Sequence, residues 1–196
     1  HFNSTVTEAI YRKNLCGIKG KVVPITNSNI LDNRTKGFLC GKTLKMIFVG
    51  HTDAFKGFPL LKSVLLELQQ YDWQLDVWGG IEGIDSDSKK IVYKGRYTKE
   101  DLPRIYSNCT IAIVPSHCYE TFSFVTLEAL SYGVPVLVSD HVGAKTIVSE
   151  YAPSFIFKTK EDLKDKLEDL MKDRSTIINY HKKILDLPWH HNLSEH

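Results

Sequence analysis

From Lys45 onward the chain alternates short apolar runs with stretches whose apolar residues recur at helical spacing, and no other feature limits its fold as much. The strand-like runs are KMIFVG, QLDVWGG, KIVYKG, TIAIVPS, VPVLVS and SFIF, and helical patterns cover residues 59–70, 100–107, 122–132, 144–150 and 161–172. Strands separated by helix-length segments form a parallel sheet covered on both faces, because parallel neighbours cannot be joined by a hairpin. Runs as uniformly apolar as IAIV and VPVLV suit burial on both faces. The expected fold is α/β, a Rossmann-like, doubly wound parallel sheet.

Thr98 with Asp101, and Thr159 with Asp162, have the spacing of a capping box and mark two helix starts. Leu163, Leu167, Leu170 and Met171 form an apolar stripe on the segment that follows the second of these. A length of 196 residues holds one such domain, placed at residues 43–174, and does not hold two of the usual size. Before it, residues 4–15 read as a helix, KVVPI as a strand and residues 27–42 as an irregular connection. After it, residues 175–196 read as a helix and a departing segment broken at Pro188.

With 25 basic against 23 acidic side chains and no Lys/Arg cluster, the chain lacks a phosphate-backbone footprint, so nucleic acid is not an expected partner. No apolar run approaches the ~18 residues that span a bilayer, and the first residues lack a secretory pattern. Cys16, Cys40, Cys109 and Cys118 contain no CxxC pair, which indicates neither a disulfide framework nor a zinc site. A soluble, cytoplasmic protein is expected.

The most informative stretch is PSHCYETFSFVTLEALSYGVPVLVSD, residues 115–140. Glu120 follows a strand, and the helix expected from Thr121 or Phe122 carries Glu128, eight positions and ~12 Å further on. A charge among Phe124, Val125, Leu127 and Leu130 needs a partner: ribose hydroxyls, or an internal ion pair with Lys145 or Arg96. The backbone amides at Thr121, Ser123 and Phe124 suit a phosphate at a helix N-terminus, beside the carboxyl end of a strand. His51 and Lys56, after the first strand, are either diphosphate donors or exposed polar side chains. Arg96 and Tyr97, after KIVYKG, are either neighbours of a nucleobase or, for Tyr97, partial core. GGIEG lacks the full dinucleotide fingerprint, no P-loop occurs, and His181, His190, His191 and His196 lack the spacing of a metal site.

Taken together these residues resemble the C-terminal, donor-binding half of a GT-B fold glycosyltransferase of family 4, the group 1 glycosyl transferases. The signals that carry the likeness are VGH then FKG, a strand ending in a glycine pair, YKG before a Thr-capped helix, IVPS, Glu-seven-Glu, and GVPVLVSD. The resemblance implies transfer of a sugar from a nucleotide sugar to a glycan or lipid-linked acceptor, with retention at the anomeric carbon and no metal or other cofactor. It implies that Lys56 and Glu120 are catalytic, Lys56 on the diphosphate and Glu120 on the sugar. His51, Arg96, Tyr97, Thr121, Phe122, Ser123, Phe124 and Glu128 would bind the donor, with Glu128 on the ribose.

Two positions depart from the family pattern: His51 stands where an arginine is usual, and Ser123 where a glycine is usual. On this likeness residues 1–42 would end an acceptor domain and its linker, and LPW at 187–189 would begin the return to it. The chain would then be a fragment of an enzyme working at the cytoplasmic face of a membrane. Two other readings share the fold: a nucleotide-sugar binding module without activity, and a GT-B-like epimerase or phosphorylase.

Overall fold

The computed structural model describes residues 1–23, 30–35, 37, 40–80 and 88–189. Six strands, β1 (Leu44–Val49), β2 (Trp73–Trp78), β3 (Ile91–Gly95), β4 (Ile111–Val114), β5 (Val136–Ser139) and β6 (Ile156–Phe157), form one sheet in the order β3-β2-β1-β4-β5-β6. Every pairing is parallel. The helices are α1 (Thr5–Asn14), α2 (Phe58–Leu66), α3 (Leu102–Ser107), α4 (Phe124–Ser131), α5 (Lys145–Tyr151), α6 (Lys160–Lys172) and α7 (Ser175–Asp186). The α/β, Rossmann-like sheet expected from the alternation is the observed one. Among the described residues no helix is long and apolar enough to cross a membrane. Of KVVPI, residues 21–23 are described and form no strand beyond a single parallel bridge from Val22 to Phe2; its last two residues lie outside the described ones.

Burial follows position in the sheet. Central β4 and β5 are buried at every residue, whereas β2 alternates buried Trp73, Leu75 and Val77 with half-exposed Gln74 and Asp76. Phe58 of α2 packs on Phe48 at a ring separation of 5.1 Å, and its other neighbour is Tyr93 at 5.9 Å. The buried indole of Trp73 donates to the Leu68 carbonyl (2.8 Å), so its burial leaves no polar atom unpaired. On the surface Glu67 joins α2 to α6 through Lys160 and Lys164, both at 2.7 Å, and these ammonium groups hold its carboxyl down at about 2.

The Thr98–Asp101 capping box is complete. At α6 only half of one forms: the Thr159 hydroxyl accepts from the Asp162 amide, while the Asp162 carboxylate accepts from Lys158 N rather than from Thr159. α7 is anchored by His181 Nδ1, 2.7 Å from the Gly133 carbonyl, which gives this histidine a place in the core; His190, His191 and His196 lie outside the described residues. Arg34 donates to the Leu187 carbonyl at 2.8 Å and ties residues 30–35 to the end of α7.

The strand order reverses between β1 and β4, so the connections leaving their carboxyl ends diverge to opposite faces and open a crevice. One glycine sets its width. Gly57, the N-cap of α2, has φ +73°, and a Cβ there would lie 1.8 Å from the Pro115 carbonyl oxygen. Backbone therefore meets backbone where the β1–α2 loop crosses the end of β4. Gly57→Ala would force both a left-handed alanine and a separation of these loops; we expect a loss of about 2–4 kcal/mol, read as a lower urea midpoint at unchanged m.

Candidate functional site

The crevice is built from three loops, each following a strand. In the β1–α2 loop Lys56 N donates to Asp53 Oδ1 (2.8 Å) and Gly57 N to the Ala54 carbonyl (3.1 Å), which folds the turn and presents the lysine. In the β4–α4 loop His117 N donates to the Phe55 carbonyl (2.9 Å), binding this loop to the first. In the β5–α5 loop the His141 carbonyl accepts from Glu120 N (3.1 Å), and Gly143 N donates to the Glu120 carbonyl (2.9 Å). A Cβ at Gly143 would lie 2.2 Å from the Thr121 carbonyl, so this approach too depends on glycine.

These constraints bring together the two residues expected to be catalytic. Lys56 Nζ donates to Glu120 Oε1 at 2.8 Å, although 64 positions separate them in sequence. The same oxygen accepts from the Ser116 hydroxyl. The pair stands over a small hollow of about 30 Å³ bounded by Ser116, Ser123 and Val125. That space does not hold a sugar, so a ligand as large as a sugar would meet the pair from the open side, where Lys56 is part-exposed. A larger hollow of about 840 Å³, bordered by Asp32, Arg34, His181 and Lys182, shares no lining residue with these loops.

α4 begins at Phe124, three or two residues later than the sequence pattern suggested. Glu120 forms a bridge with Val142, the chain bends at Thr121, and Ser123 is extended at φ −162°, so helical conformation starts only after it. Glu128 therefore lies just over one helical turn from the start of α4, about 6 Å of rise, instead of two turns inside. Ser123 is buried in an extended conformation that any residue adopts, so glycine is not required there by backbone conformation. Its hydroxyl does not cap α4.

Glu128 pairs with neither Lys145 nor Arg96. Arg96 is exposed at the end of β3, Lys145 donates to the Asp140 carbonyl, and Glu128 takes part in no ion pair among the described residues. Its partner is Tyr106, whose hydroxyl donates to Glu128 Oε2 at 3.3 Å and whose ring stacks on Tyr132 at 5.3 Å and 15°. Burial raises the Glu128 carboxyl above its ordinary value, and the Tyr106 hydrogen bond and the charge of Lys99 recover only part of that cost. Tyr97 belongs to the same group: it packs half-buried on the core, and burial and then the Glu128 charge raise its hydroxyl.

Thus Lys56 meets Glu120, and Tyr97 lies near enough to feel the charge of Glu128, while His51, Thr121 and Arg96 stand exposed. Phe122 is buried, and its ring packs edge-on against half-exposed Phe124 at 5.9 Å. Sequence reasoning assigned no role to Ser116, Tyr106 or Tyr132. Ser116 stood within the IVPS motif four residues before Glu120, a local signal; Tyr106 lies 22 positions from Glu128, and no local pattern links them. Among the described residues no group of His, Cys, Asp or Glu is arranged to hold a metal ion.

Comparison with known proteins agrees with this architecture. Residues 30–184 match the family model for glycosyl transferases group 1. A sulfoquinovosyl transferase of Arabidopsis thaliana is 30% identical over 142 residues, which cover 67% of this chain and 27% of that protein. An uncharacterized glycosyltransferase of Methanocaldococcus jannaschii is 36% identical over 113 residues, covering 53% and 29%. Among solved structures, HepE of Anabaena in complex with UDP and glucose superposes with a TM-score of 0.73 at 15% identity, covering 94% of this chain and 56% of that one. Sucrose-phosphate synthase of Thermosynechococcus elongatus gives 0.71 at 19% identity, with 99% and 54% covered. The chain thus spans about half the length of these structures and under a third of the curated relatives. A sheet in this order and a family match over most of its length lead to one statement: the chain belongs to the group 1 glycosyl transferases and has the Rossmann-like sheet of their GT-B fold.

Proposed function

We propose that this chain binds a nucleotide-diphosphate sugar at the carboxyl ends of β1 and β4 and is the donor-binding part of a retaining glycosyltransferase. The observation that carries the reading is the Lys56–Glu120 pair at the point where strand order reverses. Lys56 donates to the diphosphate and stabilises the negative charge that develops as the bond from the anomeric carbon to phosphate oxygen breaks. Glu120, an acceptor-only group when ionised, takes hydrogen bonds from sugar hydroxyls. The first-turn amides of α4, at Ser123 and Phe124, complete the phosphate cradle, with Thr121 and Phe122 shaping its approach and His51 adding a second donor.

Glu128 accepts from the ribose hydroxyls, and Tyr97 and Arg96 flank the base. The diphosphate charge is met by Lys56, His51 and helix amides, with no metal in the role. The acceptor, a glycan or a lipid-linked hydroxyl, is held by parts of the enzyme outside this domain, and the work is done on the cytoplasmic side, at the membrane where the acceptor is lipid-linked. HepE in complex with UDP and glucose, and the sugar transfer named for the Arabidopsis relative, support this substrate class.

Calorimetric titration with UDP, GDP and ADP and their glucose or mannose conjugates tests the assignment. Lys56→Ala should weaken diphosphate and nucleotide sugar alike, by roughly 10- to 100-fold, the scale of one charge-assisted hydrogen bond. Glu128→Ala should weaken both ligands about 10-fold, whereas Glu120→Ala should weaken only the nucleotide sugar. Equal losses for both ligands in the two glutamate variants would sink the division of roles.

Glu128 also makes a prediction about stability. Because burial raises its carboxyl, the folded chain favours the protonated form; the stability this gives is complete below the ordinary carboxylate range and is lost as pH rises through the raised value. At pH 7 the ionised group is therefore a cost, and Glu128→Gln should melt about 2 °C higher than wild type. The difference should close as pH falls to about 4.

A further inference from the structure

Two donors share one oxygen of Glu120. Lys56 Nζ and the Ser116 hydroxyl both reach Oε1, and Oε2 accepts from no group among the described residues. The two donors differ in how firmly they are held. Lys56 reaches across on a flexible four-carbon stem and is 40% exposed; Ser116 is 2% exposed. The Ser116 carbonyl accepts from the Ser139 hydroxyl at 2.6 Å, and Ser139, which ends β5, is itself buried. Just before it, the Pro115 carbonyl lies against Gly57. The serine backbone is thus fixed by the ends of two strands, β4 and β5, and by a helix cap.

We propose that Ser116 is the positioning residue for Glu120, holding its carboxylate in place once Lys56 has left it for the diphosphate. The inference rests on the donor-site reading given above. If Lys56 were the only group orienting Glu120, binding the diphosphate would free the carboxylate to rotate, and sugar recognition would weaken at the moment it is needed. The Glu120 backbone is already fixed by its bonds to His141 and Gly143, which leaves only side-chain rotation to control. A hydroxyl on a buried, doubly tethered residue supplies that control at little entropic cost, and its bond to an ionised acceptor is of the stronger, charge-assisted kind. Oε2 then remains for the hydroxyls of the sugar. Ser116 acts through Glu120 and is assigned no contact with the ligand.

A double-mutant cycle on the 196-residue chain separates this role from a structural one. For each of UDP, GDP and ADP, the quantity read by calorimetry is the ratio of the diphosphate Kd to the Kd of its glucose or mannose conjugate. Ser116→Ala should lower that ratio roughly 5- to 20-fold and leave the bare diphosphate within about 2-fold of wild type. In a Glu120→Ala background the same change should have no further effect. Ser139→Ala, which loosens Ser116 without removing its hydroxyl, should reproduce the pattern at smaller amplitude. A loss from Ser116→Ala that persists without Glu120, or that falls equally on diphosphate and nucleotide sugar, overturns the proposal. A wild-type chain that binds neither the diphosphates nor their sugar conjugates overturns the donor-site reading itself, a result distinct from either of these.

Discussion

The contact between the Gly57 α-carbon and the Pro115 carbonyl is where the fold becomes a site. A Rossmann-like sheet opens a crevice wherever its strand order reverses, but an open crevice only puts two loops on either side of a gap. The gap closes here because one loop has no side chain at its point of contact with the other. Given that contact, the lysine one residue before Gly57 and the glutamate five residues after Pro115 fall within hydrogen-bond reach. The Glu120 backbone is then fixed from the opposite side by Gly143, through a second approach that also depends on a missing Cβ. Two glycines on different strand ends thus set the place of one carboxylate.

The two glutamates of α4 and its entry loop are maintained by different means. Glu120 sits among donors and is neutralised by Lys56. Glu128 sits among tyrosine rings, with one hydrogen bond from Tyr106 and a carboxyl whose ionised form is disfavoured by burial. Such a residue is hard to explain as a contributor to stability, since neutral packing in the same space would serve better. It is easier to explain as a group waiting for donors, the part that ribose hydroxyls would play in the proposed donor site.

Much of this was legible in the sequence. The parallel sheet follows from the alternation itself, and the continuous apolar runs of β4 and β5 correctly marked the two strands buried throughout. The start of α4 was not legible. Residues 121–123 look helical in isolation, but they follow a bridge between Glu120 and Val142, in a loop 22 residues away, and Ser123 is extended. The partner of Glu128 escaped for the same reason: local charge suggested Lys145 or Arg96, while the actual donor is a neutral hydroxyl on α3. The second capping box failed in half because the Asp162 carboxylate turned to the neighbouring Lys158 amide, a choice the spacing of Thr and Asp does not encode.

The departure at Ser123 shows how sequence and geometry divide the work. The family resemblance marks it as a serine where glycine is usual, whose side chain would crowd a phosphate or sugar at the start of the helix; its observed φ of −162° adds no backbone demand to that. What remains is a matter of volume, since a buried hydroxyl and methylene now occupy space beside the Lys56–Glu120 pair. On the proposed donor-site reading the substitution would act on which ligand fits, and it places no strain on the backbone of the loop. Lys56 and Glu120 are placed by contacts at Gly57 and Gly143 in which Ser123 takes no part. On that reading, fit to a donor would change at this position without disturbing the charges that would handle it.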